Sequence, residues 1–391
     1  MIKACKDIQG SLVTMRRDLH KIPELGLELP ETASYVRARL EEFGIEYTVN
    51  EGDSGIIGYI NKGKQGKVIA LRADMDALPI TEETGAEYAS IHAGKMHACG
   101  HDAHTAMLLG AAKVLNEHRD ELNGEVRLLF QTGEEICKGS DVMIRNHAVE
   151  GADAIFGVHI GTILDPNIPC GKWIACAGPV MASYDRFTVR IIGKGCHGST
   201  PEKGIDPVNI TAHIVLGLEA VIAREFSANV PAVISIGRLS GGSLYNIIPE
   251  TVEFEGTTRA FDETVRRKMA ERIEQISRST AEAFGGTIEF EMDWGAPPVV
   301  NDKAMAEFAA GCAKEVLGEK NVITYRESPN MGGEDFANYL GHIPGAFMFL
   351  SSSNPEKAAD YAHHNPKFNI DEDVLWEGPA VFAKITEEFL R

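Results

Sequence analysis

The residues that most directly suggest chemistry lie in one short segment. From His97 to His104 the chain reads HACGHDAH, which places three histidines, one cysteine and one aspartate within eight residues. Imidazole and thiolate are ligands that zinc, cobalt, nickel and manganese sites use, and the two-residue spacing of Cys99 and His101 in a loop can direct both side chains to one point. The pattern favours a metal site; a polar cap at the start of the next helix is the alternative.

Acidic side chains and another histidine follow two predicted strands. Glu134 and Glu135 come after a strand that ends at Gln131, and His159 ends the next strand. Because the carboxyl ends of parallel strands form one edge of an open sheet, these side chains can join the cluster there. One carboxylate could bind metal while its neighbour holds the attacking water, and two solvated loop carboxylates are the alternative.

Three other features allow more than one interpretation. Asp76, just after a strand at residues 67–74, could orient a metal-bound histidine or merely cap the following turn. The pair His363-His364 would be taken as surface histidines if it stood alone. Residues 193–198, GKGCHG, match the G-x-G-x-x-G dinucleotide fingerprint, but no helix is predicted to start there, so a loop that presents His197 is favoured.

Two hydrophobic patterns predict two kinds of sheet. In the first part, near-continuous apolar strands alternate with helices, which is typical of an α/β domain with a mostly parallel sheet; one helix is predicted over residues 102–118, with Asp102 as its N-cap. From about Ser183, apolar and polar residues alternate, and the order β-α-β-β-α-β predicts a ferredoxin-like α+β unit. We therefore predict a catalytic metal-binding domain of residues 1–182 and 296–391, interrupted by an inserted domain of residues 183–295.

Composition disfavours several classes of partner. The 391 residues include 57 acidic and 38 basic side chains, for a net charge of −19, and no block of basic residues is present that would bind nucleic acid or a membrane surface. No apolar run reaches the roughly 18–20 residues that a membrane-spanning helix needs, and no signal-peptide pattern is present, so a soluble cytoplasmic protein is expected. Seven cysteines without regular spacing indicate thiols or metal ligands rather than disulfides.

Several motifs occur in order along the chain: LRADMDALP from Leu71, HACGHDAHTAML from His97, Glu134-Glu135, Gly157-Val158-His159, Asn246-Ile247-Ile248-Pro249 and Gly332-Gly333-Glu334-Asp335-Phe336. Together they resemble the metal-dependent amidohydrolases related to aminoacylase and carboxypeptidase G, in the branch that includes hippurate hydrolase and plant indoleacetyl-amino acid hydrolases. The resemblance extends over essentially the whole chain. It is specific for the family and says little about the substrate.

The resemblance implies a metallopeptidase-like catalytic domain that holds two divalent metal ions, which could be zinc, manganese, cobalt or nickel. The implied ligands are Cys99, His101, Glu135, His159 and His364. His364 is preferred to His363 because the family's last ligand stands two residues before a proline. The resemblance also implies that Glu134 is the general base and that Asp76 supports the ligands.

The inserted domain resembles the family's lid and dimerisation domain, so a homodimer is expected. A histidine that matches His197 reaches the partner subunit's site in this family, where it stabilises the oxyanion, with Asn246 assisting. Arg259 is the candidate for binding the substrate's carboxylate, because a guanidinium matches that group bidentately. Gln131-Thr132-Gly133 departs from the Pro-Ala that is common in the branch, a difference that bears on the substrate pocket and leaves the implied metal ligands unchanged.

The predicted function is metal-dependent hydrolysis of the amide bond of small N-acyl amino acids. Acyl, benzoyl or aryl-acetyl conjugates would be substrates, and a carboxylic acid and a free amino acid would be products. A dipeptidase or an N-acetyl-diaminopimelate deacetylase would share every catalytic residue and is the alternative. A non-catalytic acyl-amino acid binding protein is disfavoured, since binding alone does not need the base Glu134.

Overall fold

The computed structural model describes residues 1–162, 164–326 and 329–391. Their contacts divide the chain into two compact units. The first unit comprises Met1–Val180, Val299–Asn330 and Asp335–Arg391, and the second unit comprises Met181–Pro298 and Met331–Glu334. Along the sequence, the first unit is therefore made of segments that precede and follow the main segment of the second unit.

The described residues form ten α-helices: α1 (Ile2–Asp7), α2 (Gln9–His20), α3 (Pro30–Phe43), α4 (His101–Glu117), α5 (Gly139–Arg145), α6 (Pro207–Glu225), α7 (Glu263–Ala283), α8 (Lys303–Leu317), α9 (Phe336–Leu340) and α10 (Glu377–Phe389). The strands of the first half are β1 (Glu46–Val49), β2 (Ile56–Ile60), β3 (Lys67–Asp74), β4 (Gly124–Gln131), β5 (Ala154–Gly161), β6 (Trp173–Ile174), β7 (Gly178–Met181) and β8 (Asp185–Ile192). The remaining strands are β9 (Cys196–His197), β10 (Ala232–Gly241), β11 (Ile247–Ile248), β12 (Thr251–Ala260), β13 (Thr287–Trp294), β14 (Val299–Asn301), β15 (Val322–Ile323) and β16 (Gly345–Ser351).

The first unit is built on an eight-stranded sheet in the order β1-β2-β4-β3-β5-β16-β6-β15. Its central strands β4, β3, β5 and β16 are parallel, whereas β1 and β2 on one side and β6 beside β16 join antiparallel. The central strands are almost entirely buried because helices cover the sheet. This architecture confirms the predicted α/β class with a mostly parallel sheet.

Helix α4 lies in the core of the first unit and carries the second half of the HACGHDAH segment. It begins at His101, and 14 of its 17 residues are buried, because α2, α3, α10 and β3 pack around it. The predicted cap by Asp102 is wrong. Gly100 occupies the N-cap position, and the Asp102 carboxylate instead accepts hydrogen bonds from Arg16 Nε at 2.8 Å and His20 Nδ1 at 2.7 Å. Leaving the buried Arg16 guanidinium without a counter-charge would cost more free energy than leaving the helix N-terminus without a side-chain cap.

The second unit is an antiparallel sheet in the order β10-β12-β8-β13, with α6 and α7 packed on one face. This order and the sequence β-α-β-β-α-β are those of a ferredoxin-like unit, as predicted. Strand β12 alternates strictly between buried and half-buried residues, which matches a sheet with one covered face. Strand β10 lies at an edge of the sheet.

Helix α6 is the exception to the expectation that no segment is apolar enough to cross a membrane. Its 19 residues reach a mean hydropathy of 1.2, which is sufficient by length and composition alone. In the structure, Ile210, Ile214 and Leu218 are buried in the hydrophobic core of the second unit. The helix therefore has the packing of an amphipathic helix on a sheet.

A buried ion pair in the second unit generates a stability prediction. Arg266 on α7 donates to both oxygens of Asp185 on β8, at 2.9 and 2.6 Å, and both side chains are almost fully buried. Arg266→Met leaves the Asp185 charge buried without its partner, so we expect it to lower the free energy of unfolding by about 3–5 kcal/mol. Urea denaturation followed by circular dichroism measures this loss.

The matched control is Arg186→Met, one residue along the chain from Asp185. Arg186 forms an exposed ion pair with Glu255, so its replacement is expected to cost at most about 1 kcal/mol. Equal losses in the two variants would contradict the role given to burial.

Candidate metal centre

The candidate site lies in the first unit, where β3, β4 and β5 end and α4 begins. Gly100 has a φ of +91°, and an added Cβ would lie 3.3 Å from Ile160 Cγ2, so glycine suits the tight loop between Cys99 and His101. Glu134 and Glu135 follow β4, and His159 lies within β5. The sheet topology therefore brings together residues that are far apart in the sequence.

The five predicted ligands occur in overlapping clusters. Potential ligand atoms of Cys99, Glu135 and His364 lie within 4.8 Å of one another, as do those of His101, Glu134 and Glu135. Cys99 Sγ also lies 3.5 Å from Nε2 of His159. Cys99 and Glu135 are thus each near more than one other candidate ligand, which is the arrangement that two neighbouring ions would need.

Backbone carbonyls fix the tautomers of two of these histidines. His101 Nδ1–H donates to Asp76 O at 2.8 Å, and His159 Nδ1–H donates to Ile160 O at 2.9 Å, which leaves the Nε2 lone pairs for a metal. Among the residues that the structure describes, His101 Nε2 and Glu135 Oε1 are buried without a hydrogen-bond partner. Buried polar atoms without partners are costly, and a cation would satisfy both, so the residues fit a metal centre.

His363 and His364 both approach the cluster, and their hydrogen bonds distinguish them. His363 Nε2 accepts a hydrogen bond from Thr162 N at 3.0 Å, so the proton of the neutral ring is on Nδ1, which lies 3.6 Å from Cys99 Sγ. His363 therefore donates to the sulfur and has no lone pair for a metal. His364 Nε2 lies 3.5 Å from Glu135 Oε1, and its strained φ of 64° is held by a bond from its N–H to Ala98 O.

His104 is the histidine of the HACGHDAH segment that supports other groups. Its Nδ1 donates to Asp74 Oδ1 at 2.5 Å, and its Nε2 accepts from Ile160 N at 2.9 Å. Both ring nitrogens are thus used inside the protein. His104 links the ends of β3 and β5 from beneath the ligands.

Asp76 holds three parts of the site together. Its carboxylate accepts hydrogen bonds from the backbone N–H of Glu134 at 3.0 Å and of Glu135 at 3.1 Å. Its backbone carbonyl accepts from His101, and its Oδ1 lies 3.5 Å from His101 Nδ1. The sequence allowed Asp76 either to orient a histidine or to cap a turn, and its contacts with His101 agree with the first interpretation. Its hydrogen bonds to the Glu134-Glu135 loop were not predicted from the sequence.

A buried polar network lies below the site and was not predicted from the sequence. Arg72 on β3 donates to Gln131 Oε1 at 2.9 Å, to Asp74 Oδ2 at 2.6 Å and to Asp335 Oδ1 at 2.9 Å. Gln131 in turn donates to Asp335 and accepts from Tyr339 OH. The available signals were the departure from Pro-Ala at Gln131 and the aspartate of the GGEDF motif. The network explains why an amide is suited to position 131.

Burial and neighbouring charge set the protonation of the metal-free cluster. Burial, together with the charges of Glu135 and Glu134, raises the pKa of the Cys99 thiol well above its usual value, and burial raises the pKa of Glu135 to about 7. Burial would lower the pKa of His101, but the nearby carboxylates, chiefly Asp74, raise it to about 10. Metal ions must displace these protons, so metal affinity falls as the pH falls.

The other predicted residues belong to the second unit. His197 on β9 pairs with Ile247 on β11, and the N–H of Gly198 donates to Asn246 O at 2.8 Å, so His197 and Asn246 are neighbours. His197 Nδ1 accepts from Ser199 N at 3.1 Å, which places the proton of the neutral ring on Nε2.

Arg259 lies on β12, where its side chain is held within the second unit. The guanidinium donates to Thr258 O at 2.9 Å, and its carbon lies 4.4 Å from the centre of the Tyr184 ring. This cation–π contact and the hydrogen bond orient the guanidinium.

The sequence profile of Peptidase family M20/M25/M40 matches residues 70–388. The chain belongs to this family. It is 39% identical, over 368 residues, to the N-acetyl-L-cysteine deacetylase of Bacillus subtilis (strain 168), a match that covers 94% of this chain and 85% of that protein. It is 37% identical to the IAA-amino acid hydrolase ILR1-like 4 of Arabidopsis thaliana, over 97% of this chain and 86% of that protein.

A solved structure of the M20 family is also closely similar. The Bacillus subtilis YXEP protein, described as a dinuclear metal binding peptidase, has a TM-score of 0.84 and 37% sequence identity, over 98% of this chain and 99% of its own. These matches confirm the predicted family and the metallopeptidase-like fold. As a member of the M20 family, the chain is a metal-binding hydrolase.

The hydrogen bonds of His363 and His364 predict that replacing each histidine by alanine has a different effect on metal content. At a free metal concentration about a thousandfold above the wild-type dissociation constant, His363→Ala should stay loaded, because loss of a group that supports a ligand costs about 10–100-fold in affinity. His364→Ala removes a predicted ligand and should retain less metal per chain. Elemental analysis after equilibrium dialysis measures both contents, and a greater loss in His363→Ala would reverse the assignment.

Proposed function

We propose that this M20 hydrolase cleaves the amide bond of small N-acyl amino acids. The observation that carries the proposal is the pair Glu134-Glu135, whose backbone N–H groups both bind Asp76 and whose carboxylates approach the same His101 Nε2, each at 3.9 Å. One carboxylate can serve as a ligand while the other stays available as a base. The names of the deacetylase and the IAA-amino acid hydrolase support N-acyl amino acids as the substrate class.

Two divalent ions of zinc, manganese, cobalt or nickel would be held by five residues: Cys99, His101, Glu135, His159 and His364. When bound, such ions supply Lewis acidity, which lowers the pKa of water and polarises an amide carbonyl. The donor set of thiolate, imidazole and carboxylate is compatible with all four metals.

Glu134 moves the proton in the proposed reaction. Its carboxylate takes a proton from the attacking water and returns it to the nitrogen of the leaving amine. Its side chain is largely buried, and its backbone N–H is fixed by Asp76, so the carboxylate is positioned before substrate arrives. Carboxylic acid and free amino acid are then released.

His197, Asn246 and Arg259 would bind the rest of the substrate. The Nε2–H of His197 is available as a donor, because Ser199 N–H is bound at Nδ1, and an N–H donor is what a developing oxyanion needs. The side-chain amide of Asn246 assists at the same oxygen. Arg259, already oriented by Tyr184, would bind the carboxylate of the amino acid.

We further propose that the second unit forms a homodimer and that His197 acts in the partner subunit's site. Strand β10 is an edge strand whose outer side has no strand partner among the described residues. Leu239 on this strand is 58% exposed, and Leu244 and Tyr245 beside it are 60% and 100% exposed. An exposed strand edge with large apolar side chains is suited to pairing with a second copy.

The first test of this function is the variant Glu134→Gln. It removes the base but keeps the size of the side chain, so we expect turnover to fall by about 10²–10⁴-fold while metal content stays unchanged. Initial rates on N-acetyl, N-benzoyl and N-indoleacetyl amino acids, with elemental analysis alongside, measure both quantities.

Glu83→Gln provides the matched control, because Glu83 is exposed and lies outside the cluster. Unchanged turnover in Glu134→Gln would refute the assigned base. Dipeptides belong in the same panel, since faster turnover of dipeptides would show that the alternative dipeptidase activity is the correct one.

Mixing two inactive variants tests whether His197 acts across the dimer. A heterodimer of Glu134→Gln and His197→Ala has one site that combines an intact Glu134 with an intact His197 only if the histidine comes from the partner. Random exchange of equal amounts should then restore about a quarter of wild-type activity, because half of the dimers are mixed and each has one working site. No recovery, with exchange verified by mass spectrometry, would place His197 in its own subunit's site.

A further inference from the structure

The turn that carries Glu134 and Glu135 also carries an exposed apolar side chain. The N–H of Cys137 donates to Glu134 O at 2.7 Å, so residues 134–137 form one tight turn. Ile136 lies in this turn, directly after Glu135, and is 50% exposed. An apolar side chain is therefore in the same turn as the two carboxylates that approach His101.

Hydrogen bonds hold this turn in one conformation. Cys137 has a φ of 51°, a left-handed backbone conformation that a residue other than glycine adopts at a cost in free energy. The N–H groups of Lys138 and Gly139 both donate to Gly133 O, at 3.1 and 3.2 Å, and close the loop behind the turn. The backbone from which Ile136 projects is therefore fixed.

A second loop supplies an apolar neighbour for Ile136. A Cβ added to Gly133 would lie 2.6 Å from Leu27 Cδ2 and 3.5 Å from Ile136 Cγ1, so both side chains pack against the same glycine. A Cβ added to Gly26 would lie 3.7 Å from Ile136 Cδ1, so the tip of Ile136 rests beside that loop. Leu27 is itself only partly buried. Leu27 and Ile136 together form an apolar surface, the Leu27–Ile136 patch.

Both loops of the Leu27–Ile136 patch are attached to the segment of Asp76. The N–H of Ala77 donates to Glu24 O at 2.8 Å, which fixes the loop of Leu27 next to Asp76. The Asp76 carboxylate accepts from the backbone N–H groups of Glu134 and Glu135, which fixes the turn of Ile136. The patch is therefore held in place by the same aspartate that positions the two glutamates.

The position of Ile136 distinguishes it from other exposed apolar side chains, which are common and need no explanation by themselves. The carbonyl that Glu134 helps to attack must lie near the turn, so the groups attached to that carbonyl pass beside Ile136. Arg259, which is proposed to bind the carboxylate of the amino acid, lies in the second unit. The acyl group is therefore the end of the substrate that is left for the apolar surface in the first unit.

We propose that the Leu27–Ile136 patch binds the apolar body of the substrate's acyl group, and that Ile136 is a specificity-determining residue. The inference deepens the proposed hydrolysis of N-acyl amino acids and rests on it. The occupant is an alkyl or aryl chain that continues from the scissile carbonyl. Each methylene that is removed from water on binding favours binding by about fourfold.

Kinetics on N-acetyl-, N-butyryl- and N-hexanoyl-alanine with the metal-loaded protein test the proposal. Ile136→Ala removes most of the apolar side chain, so the ratio of kcat/KM for the hexanoyl and acetyl substrates should fall at least about fivefold. Val300→Ala is the matched control, because Val300 on β14 is 43% exposed and lies outside both loops. Its ratio should equal that of the wild type. An unchanged ratio in Ile136→Ala, or an equal fall in both variants, would overturn the proposal.

Two further measurements distinguish acyl binding from other effects of the substitution. Ile136→Leu keeps the apolar area, so its hexanoyl-to-acetyl ratio should stay within about twofold of the wild-type ratio. N-acetyl-alanine and N-acetyl-norleucine differ only in the side chain of the amino acid, and Ile136→Ala should not change their ratio. A fall in this second ratio with the first ratio unchanged would place the amino acid side chain at the patch and contradict the proposal.

Binding separates failure of this inference from failure of the proposed function. Calorimetric titration of metal-loaded Glu134→Gln should show tighter binding of N-hexanoyl-alanine than of N-acetyl-alanine, and adding Ile136→Ala should reduce that preference at least about fivefold. If the wild type hydrolyses none of the series but this preference is found, the proposed function is wrong and the acyl-binding patch stands. If the wild type hydrolyses the series and Ile136→Ala changes neither the kinetic ratio nor the binding preference, the function stands and the patch is wrong.

Discussion

The burial of many ionisable side chains at one sheet edge is the physical constraint on which the first unit depends. Two internal cations make it possible. Arg72 binds Asp74 and Asp335 below the cluster, and Arg16 binds Asp102 at the start of α4. Burial raises the pKa of Asp335 to about 6, whereas the opposing charges, Arg16 first, hold the pKa of Asp102 far below its usual range in spite of burial. Because these aspartates neutralise the two arginines, the carboxylates of Glu134 and Glu135 remain available to the metal cluster.

Hydrogen-bonded tautomers connect this constraint to chemistry. His101 and His159 give their Nδ1 protons to backbone carbonyls, and His104 gives its proton to Asp74. In each neutral ring, Nε2 therefore carries a lone pair whose direction is fixed by the hydrogen bond at Nδ1. His197, in the second unit, has the opposite arrangement, because Ser199 N–H occupies its Nδ1 and leaves an N–H at Nε2. The predicted ligands His101 and His159 thus differ from the predicted oxyanion donor His197 in the backbone group at Nδ1, which is a carbonyl acceptor for the ligands and an N–H donor for His197.

The parts of the structure that follow from local pattern were accessible from the sequence. Continuous apolar strands, the switch to alternation near Ser183 and the spacing of Cys99 and His101 predicted the two sheets and the cluster. What could not be predicted depended on contacts between distant segments. Asp102 resembles a helix cap in the sequence, and only the packing of α2 against α4 shows that Arg16 and His20 take its carboxylate.

Gln131 shows the same limit at the end of β4. As an isolated departure from a family motif it carried no structural meaning, whereas register pairing with Asp74 on β3 places its amide between Arg72 and Asp335. Its carbonyl oxygen accepts from Arg72 and Tyr339, and its NH₂ group donates to Asp335. An amide can accept and donate at once, which neither proline nor a carboxylate can do. Gln131, which departs from the family motif, is therefore part of the buried network beneath the candidate metal centre.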